Sequence, residues 1–106
     1  MKLVTSNEIA GMNVVKTLGL VRGNSIRARH LGNDIVAGLK TLIGGEIQEY
    51  TKLMAQAREQ AIDRMIDAAT QLGANAVIDL RFTTSYVMGG AAEILVYGTA
   101  VVVEEA

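Results

Sequence analysis

Few side chains in this sequence are able to hold a metal ion. His30 is the single histidine and there is no cysteine. A soft or borderline metal wants several nitrogen or sulfur donors, so one imidazole per chain makes a site only where copies of His30 meet at a common axis. Glu59, Asp63 and Asp67 stand four residues apart, which lines three carboxylates along one side of a helix. Such oxygens suit hard cations, Mg²⁺ or Ca²⁺, better than a heavy metal. On a straight helix they spread over about 12 Å, too far to share one ion. With Arg58 and Arg64 close by, the ridge reads first as a solvated charged face. Met54 and Met65 fall on an apolar helical stripe and read as core, and Met88 is a lone thioether beside Gly89-Gly90.

Anion chemistry has one cluster to work with: Arg22, Arg27 and Arg29, next to His30. Guanidinium forks match phosphate and carboxylate oxygens, and glycines at 19, 23 and 32 leave room for a ligand against the backbone. There is no GxGxxG or Walker pattern. The plainer role for these arginines is to guard a sheet edge against unwanted pairing. Glu46, Tyr50, Arg58 and Arg81 are further candidates for ligand contact, with a structural role as the alternative, and Glu46 and Tyr50 lie one helical turn apart. Arg81 lies in mid-strand, where its charge needs a partner; an acid such as Glu46 or Asp79, or else a ligand, would supply it, and a pair with either acid would fix register between subunits. Asn75 follows Gly73-Ala74 and reads as turn chemistry. No nucleophile, base and orienting group can be assembled from the spacing, so an enzyme is not expected.

These residues need elements to position them. Val14 to Ala28 reads as extended, with a polar, turn-like interruption at Arg22-Gly23-Asn24-Ser25, and Leu3 to Thr5 as a short strand before it. Asn33 or Asp34 is placed to cap a short helix carrying Ile35, Leu39, Leu42 and Ile43, which Gly44-Gly45 ends. From Glu46 or Ile47 to Leu72, apolar residues recur every three or four positions, predicting one long helix stopped by Gly73. Asn75 to Tyr86 alternates, with Ala76, Ile78, Leu80 and Phe82 on one face and Asp79, Arg81, Thr83 and Ser85 on the other. Ile94 to Val103 is apolar on both faces. That predicts cover on both, one side from the helix and the other from a second copy.

Composition points the same way. Half of the 106 residues are hydrophobic and 20% are charged, with a net charge of −1. So much apolar material on a small body with so little self-repulsion favours association. Open sheet edges paired head to tail about a rotation axis would close into a ring. No overall positive field is present to draw nucleic acid, no run of apolar residues reaches bilayer-spanning length, and Met1 to Glu8 lacks the apolar stretch of a signal peptide. The expected location is the cytoplasm.

Several short motifs fall in order along the chain: Gly44-Gly45-Glu46 with Tyr50-Thr51, Ala57-Arg58 with Ala61, Leu72-Gly73-Ala74-Asn75-Ala76-Val77, Arg81-Phe82, and Tyr97-Gly98-Thr99-Ala100-Val101. Together they resemble the YbjQ family, short bacterial and archaeal proteins that carry a heavy-metal-binding label. The resemblance runs nearly end to end. It implies an α+β subunit, an antiparallel sheet packed on a long helix, and assembly as a pentameric ring. The metal label attaches to no motif in this sequence.

The expectation is therefore a single domain over residues 1–106, with an antiparallel sheet on one long helix plus a short one, forming a homo-oligomer. Its expected role is that of a non-enzymatic, ring-forming protein with a divalent metal as the conceivable cofactor. The alternatives are an oligomer that binds an anionic small molecule between subunits, and a purely structural assembly.

Overall fold

The computed structural model describes the backbone of residues 1–27, 45–87 and 91–106, with side chains for all of these except 45–50 and 87. The elements are β1 (Lys2–Leu3), β2 (Met12–Arg27), α1 (Gly45–Gln71), β3 (Ala76–Val87) and β4 (Ala91–Glu105). The short helix expected after Asn33 and the turn at Met88-Gly89-Gly90 lie outside the described residues.

Four strands form one sheet in the order β1-β3-β4-β2. β2 and β3 are both antiparallel to β4, while β1 is parallel to β3. The sheet is therefore mixed, where a wholly antiparallel one was expected. β1 and β2 run the same way at opposite edges, so the chain between them must cross a face of the sheet. That crossing covers a surface expected to meet a second copy.

On the other face, α1 buries Met54, Ala57, Ala61, Met65 and Ala69, a stripe with helical spacing. Its alanines let the helix approach unusually closely. A Cβ added to Gly23 would lie 2.1 Å from the Ala61 carbonyl oxygen and 2.5 Å from the Met65 amide nitrogen. Arg22-Gly23-Asn24-Ser25 is thus no turn: β2 runs straight through it, and Gly23 seats the helix rather than a ligand. Two polar ties flank that contact. The buried Ser25 hydroxyl donates to Gln60 Oε1 at 2.6 Å, and Arg64 Nη1 donates to the Asn24 carbonyl at 2.6 Å. The helix lies mainly over β2 and less over β4. Val21, Val77, Leu80, Ala92, Ile94, Val96 and Ala100 complete this core.

Three bulges set which side chains face which way. In β3, Asp79 and Leu80 stand opposite Gly98 alone, and Asp79 takes φ +54°, a left-handed conformation that aspartate tolerates better than most residues. The extra residue shifts the alternation. Ala76 and Ile78 point to the second face, while Leu80 joins the helix-side core and Phe82, paired with the buried Val96, faces the same way. The four do not share one face as their spacing suggested. In β2, Val15 and Leu18 are the inserted residues, and Gly19, with φ +124°, completes the second bulge.

The second face is divided. At one end, Ala76, Val101 and Val103 are buried beneath Ile9, Met12 and Ile78. Residues 4–11 lie across it as a strap. Val4 donates its amide to Val77, Asp79 donates to Ser6, and Leu80 donates to Val4. Asn75 extends the same end. Its Nδ2 donates to the Val103 carbonyl at 2.9 Å and its Oδ1 accepts from the Val103 amide at 2.8 Å, so its side chain continues the ladder rather than making a turn. At the other end no described residue lies over the face, and Leu20 and Ile26 are exposed. The Cα radius of gyration is 17.6 Å, against about 13 Å for a compact chain of this length.

Candidate functional site

Strand alternation places Val21, Gly23 and Ser25 against the helix and turns Leu20, Arg22, Asn24 and Ile26 outward. Register then arranges the open face in rows. Arg22, Tyr97 and Arg81 form one row, each the direct partner of the next across β2, β4 and β3. Asn24, Leu95 and Thr83 form the next, then Ile26, Glu93 and Ser85. Neighbouring strands are about 4.8 Å apart, so the two arginines are rooted roughly 10 Å apart with the phenol ring between them.

Their environments differ. Arg22 is exposed and makes no hydrogen bond or ion pair among the described residues. Arg81 is anchored: its Nη1 donates to the carbonyls of Thr5 and Leu80, both at 2.8 Å. Within the subunit Arg81 is held by main-chain oxygens of the strap and of its own strand; of its expected acid partners, the Glu46 side chain lies outside those described. Within the described residues no ion pair joins Asp79 to Arg81. Glu93, two rows away, accepts a long bond of 3.4 Å from Asn24 Nδ2. The face therefore concentrates positive charge at one aromatic ring.

Other predicted residues fall elsewhere. Arg27 ends β2 opposite Ala92 on the helix side, half-buried, with its Nε buried and unpaired. Arg29 and His30 lie outside the described residues. Glu46 and Tyr50 belong to the first two turns of α1, and their side chains are not described. Arg58, Glu59, Asp63 and Asp67 are exposed on α1, on the far side of the sheet from the arginine row. Among the described residues no three His, Cys, Asp or Glu side chains come together as a metal set. The donors described here do not make a heavy-metal site within one chain. An open depression of about 510 Å³ lies at the strap end, lined by residues 7–14 with Val103 and Ala106, and Glu8 is the one charged side chain in it.

The structure thus unites Arg22 and Arg81, which sequence reasoning singled out separately, and adds Tyr97, which it read as apolar cover. The available signal was parity: Leu20, Arg22, Asn24 and Ile26 alternate with Val21, Gly23 and Ser25, so Arg22 had to face away from the helix.

A family model described as "Putative heavy-metal-binding" matches residues 1–104. The chain belongs to the YbjQ family. Relatives in this family include a UPF0145 protein of Methanosarcina acetivorans, 54% identical over 95% of both chains. Another, from Halorubrum lacusprofundi, is 58% identical over 95% of this chain and 97% of its own length. The fold matches that of a solved protein of unknown function from Pediococcus pentosaceus, with a TM-score of 0.68 at 18% identity and 98% of each chain covered. Among the described residues, no helix is long and apolar enough to cross a membrane.

Proposed function

We propose that this YbjQ-family protein acts as the subunit of a closed, non-enzymatic homo-oligomer. The observation that carries this reading is the apolar surface left bare. Leu20 is 67% exposed, Ile26 60%, Phe82 45% and Tyr86 72%. These residues flank two unlike sheet edges, β2 on one side and β3 beyond the strap on the other. Two different edges favour a head-to-tail contact, which closes into a ring when the rotation allows. The ring order of five comes from the family resemblance alone. The non-enzymatic reading rests on the sequence, with its single histidine and no cysteine. The proposed setting is the cytoplasm, with no membrane or nucleic-acid partner.

Native mass spectrometry tests the assembly. A multiple of the 11.3 kDa subunit, reduced to one subunit by Tyr86→Asp, is the expected result, since a charge is costly in a dry interface. A single-subunit mass for the unaltered protein at micromolar concentration would overturn the reading. The same spectra, taken before and after adding Zn²⁺, Cu²⁺ or Ni²⁺, test the metal label. Uptake in proportion to subunits would support the label, with His30 or the Glu59, Asp63 and Asp67 ridge as the first positions to change. A second reading, an oligomer that binds an anionic small molecule, is favoured by the open row of Arg22 and Arg81.

A further inference from the structure

We infer that the row Arg22–Tyr97–Arg81 is a binding site for a phosphorylated molecule bearing a planar ring, of mononucleotide size. This inference rests on the anion-binding reading and narrows it. Arg22 supplies a guanidinium with all its donors unspent among the described residues, on a rigid strand seated against α1 through Gly23. A planar fork of this kind binds phosphoryl oxygens in pairs. Tyr97 is half-buried between its two arginine neighbours in register, on the strand face turned away from the helix, with no hydrogen bond to its hydroxyl among the described residues. An aromatic ring on an open sheet face is a stacking platform. Arg81 is held by the Thr5 and Leu80 carbonyls through one nitrogen, so its charge stays at the row without having to be ordered by the ligand.

The surroundings suit a small anion. The rows on either side hold Asn24, Leu95 and Thr83, and Leu20, Thr99 and Ile78; the one carboxylate that reaches them is Glu93, at 3.4 Å from Asn24 Nδ2. Asp79, in the bulge, is the nearest acid in sequence and is not ion-paired to Arg81. The strap meets the row at Arg81, through the Thr5 carbonyl, while its apolar residue Ile9 packs against Ala76, Val101 and Val103. Like charges placed together without an acid between them weaken a surface unless an anion relieves them. Leu20 and Ile26, proposed above for subunit contact, lie on the same face of β2 on either side of Arg22, so the row borders that contact.

The test is isothermal titration of the unaltered protein and of Arg22→Ala and Tyr97→Leu, with inorganic phosphate and with adenosine monophosphate as separate probes. Native mass is recorded for each sample, so binding and assembly are read independently. The monophosphate should bind roughly tenfold more tightly than phosphate, the advantage lying in base stacking. Tyr97→Leu should erase that advantage, and Arg22→Ala should weaken both probes by about tenfold or more. Because Arg22 is exposed and unbonded, its removal should leave the melting temperature unchanged; Arg22→Lys, which keeps charge but loses the fork, should fall between. Equal affinity for the two probes, lost in Arg22→Ala, would overturn the planar-ring assignment and leave the anion reading standing. No binding of either at millimolar concentration would overturn both. Binding that survives Arg22→Ala would place the site elsewhere and overturn the inference.

Discussion

The two ends of the sheet's second face differ more than their sequences do. At one end Val101 and Val103 are buried under Ile9 from the chain's own strap and Met12 at the start of β2. At the other, Leu95 and Tyr97 stand half-exposed on the same face of the same strand, flanked by Leu20 and Ile26 in the open. β4 is largely apolar on both sides from Ile94 to Val103, yet the described residues cover only one end of its second face. A two-sided apolar strand is thus two statements joined. One concerns how the chain folds back on itself, and the other concerns what it leaves for another molecule.

The sharpest way to break this comparison is a matched pair of charges. Val101→Asp places a carboxylate in a site with no exposure and should cost about 4 kcal/mol or more, enough to unfold a small domain. Leu20→Asp, on the same face and close by but exposed, should cost less than about 1 kcal/mol of subunit stability. Chemical denaturation of both variants reads the difference. Equal losses would mean that the two ends are covered alike and that the division does not exist.

A middle-sized effect belongs to Asn75. Its side chain exchanges two hydrogen bonds with the Val103 main chain, holding the covered end of the sheet in register where β3 begins. Asn75→Ala leaves both Val103 groups without these partners, and a loss of about 2 kcal/mol is expected. Asn75→Asp keeps the acceptor and forfeits the donor, so it should lose less. If the two variants melt together, the Asn75 oxygen contributes nothing; if Asn75→Asp melts with the unaltered protein, it is the amide nitrogen that contributes nothing.

Much of this fold was legible in the sequence. The helix from Gly45 to Gln71 followed from spacing, and Met54 and Met65 are core as expected. What stayed hidden has a common physical origin. Bulges change side-chain parity without changing residue type, so Asp79 could not be seen to move Leu80 and Phe82 to the helix side. Gly23 looked like a turn because glycine serves both turns and close backbone approach, and only the neighbouring Ala61 decides between them. The strap was missed because residues 4–11 are short, mostly polar and lacking in period, and Ile9 is its one residue packed on Ala76, Val101 and Val103. For the site, Arg22 and Arg81 were both found by chemistry. Their common row depends on the register of three strands, which no single strand's pattern contains.

The smallest predicted effect tests the boundary between the two ends. Arg81 sits at that boundary, with its Nη1 bonded to Thr5 and Leu80. The strap keeps its three main-chain bonds at Val4, Ser6 and Leu80 without it, so Arg81→Met should leave the domain folded. An exposed charge-assisted bond contributes little after solvent screening, and a loss of about 1 kcal/mol or less is expected. The informative readout is local: amide hydrogen exchange should quicken at residues 4–8 and stay unchanged in β2, which packs under the helix. Arg81→Lys can reach one carbonyl at a time and should restore part of the protection. Unchanged exchange in Arg81→Met together with a fall in native mass would move Arg81 from holding its own strap to pairing across subunits. The open end of the face would then begin one row closer to Val101.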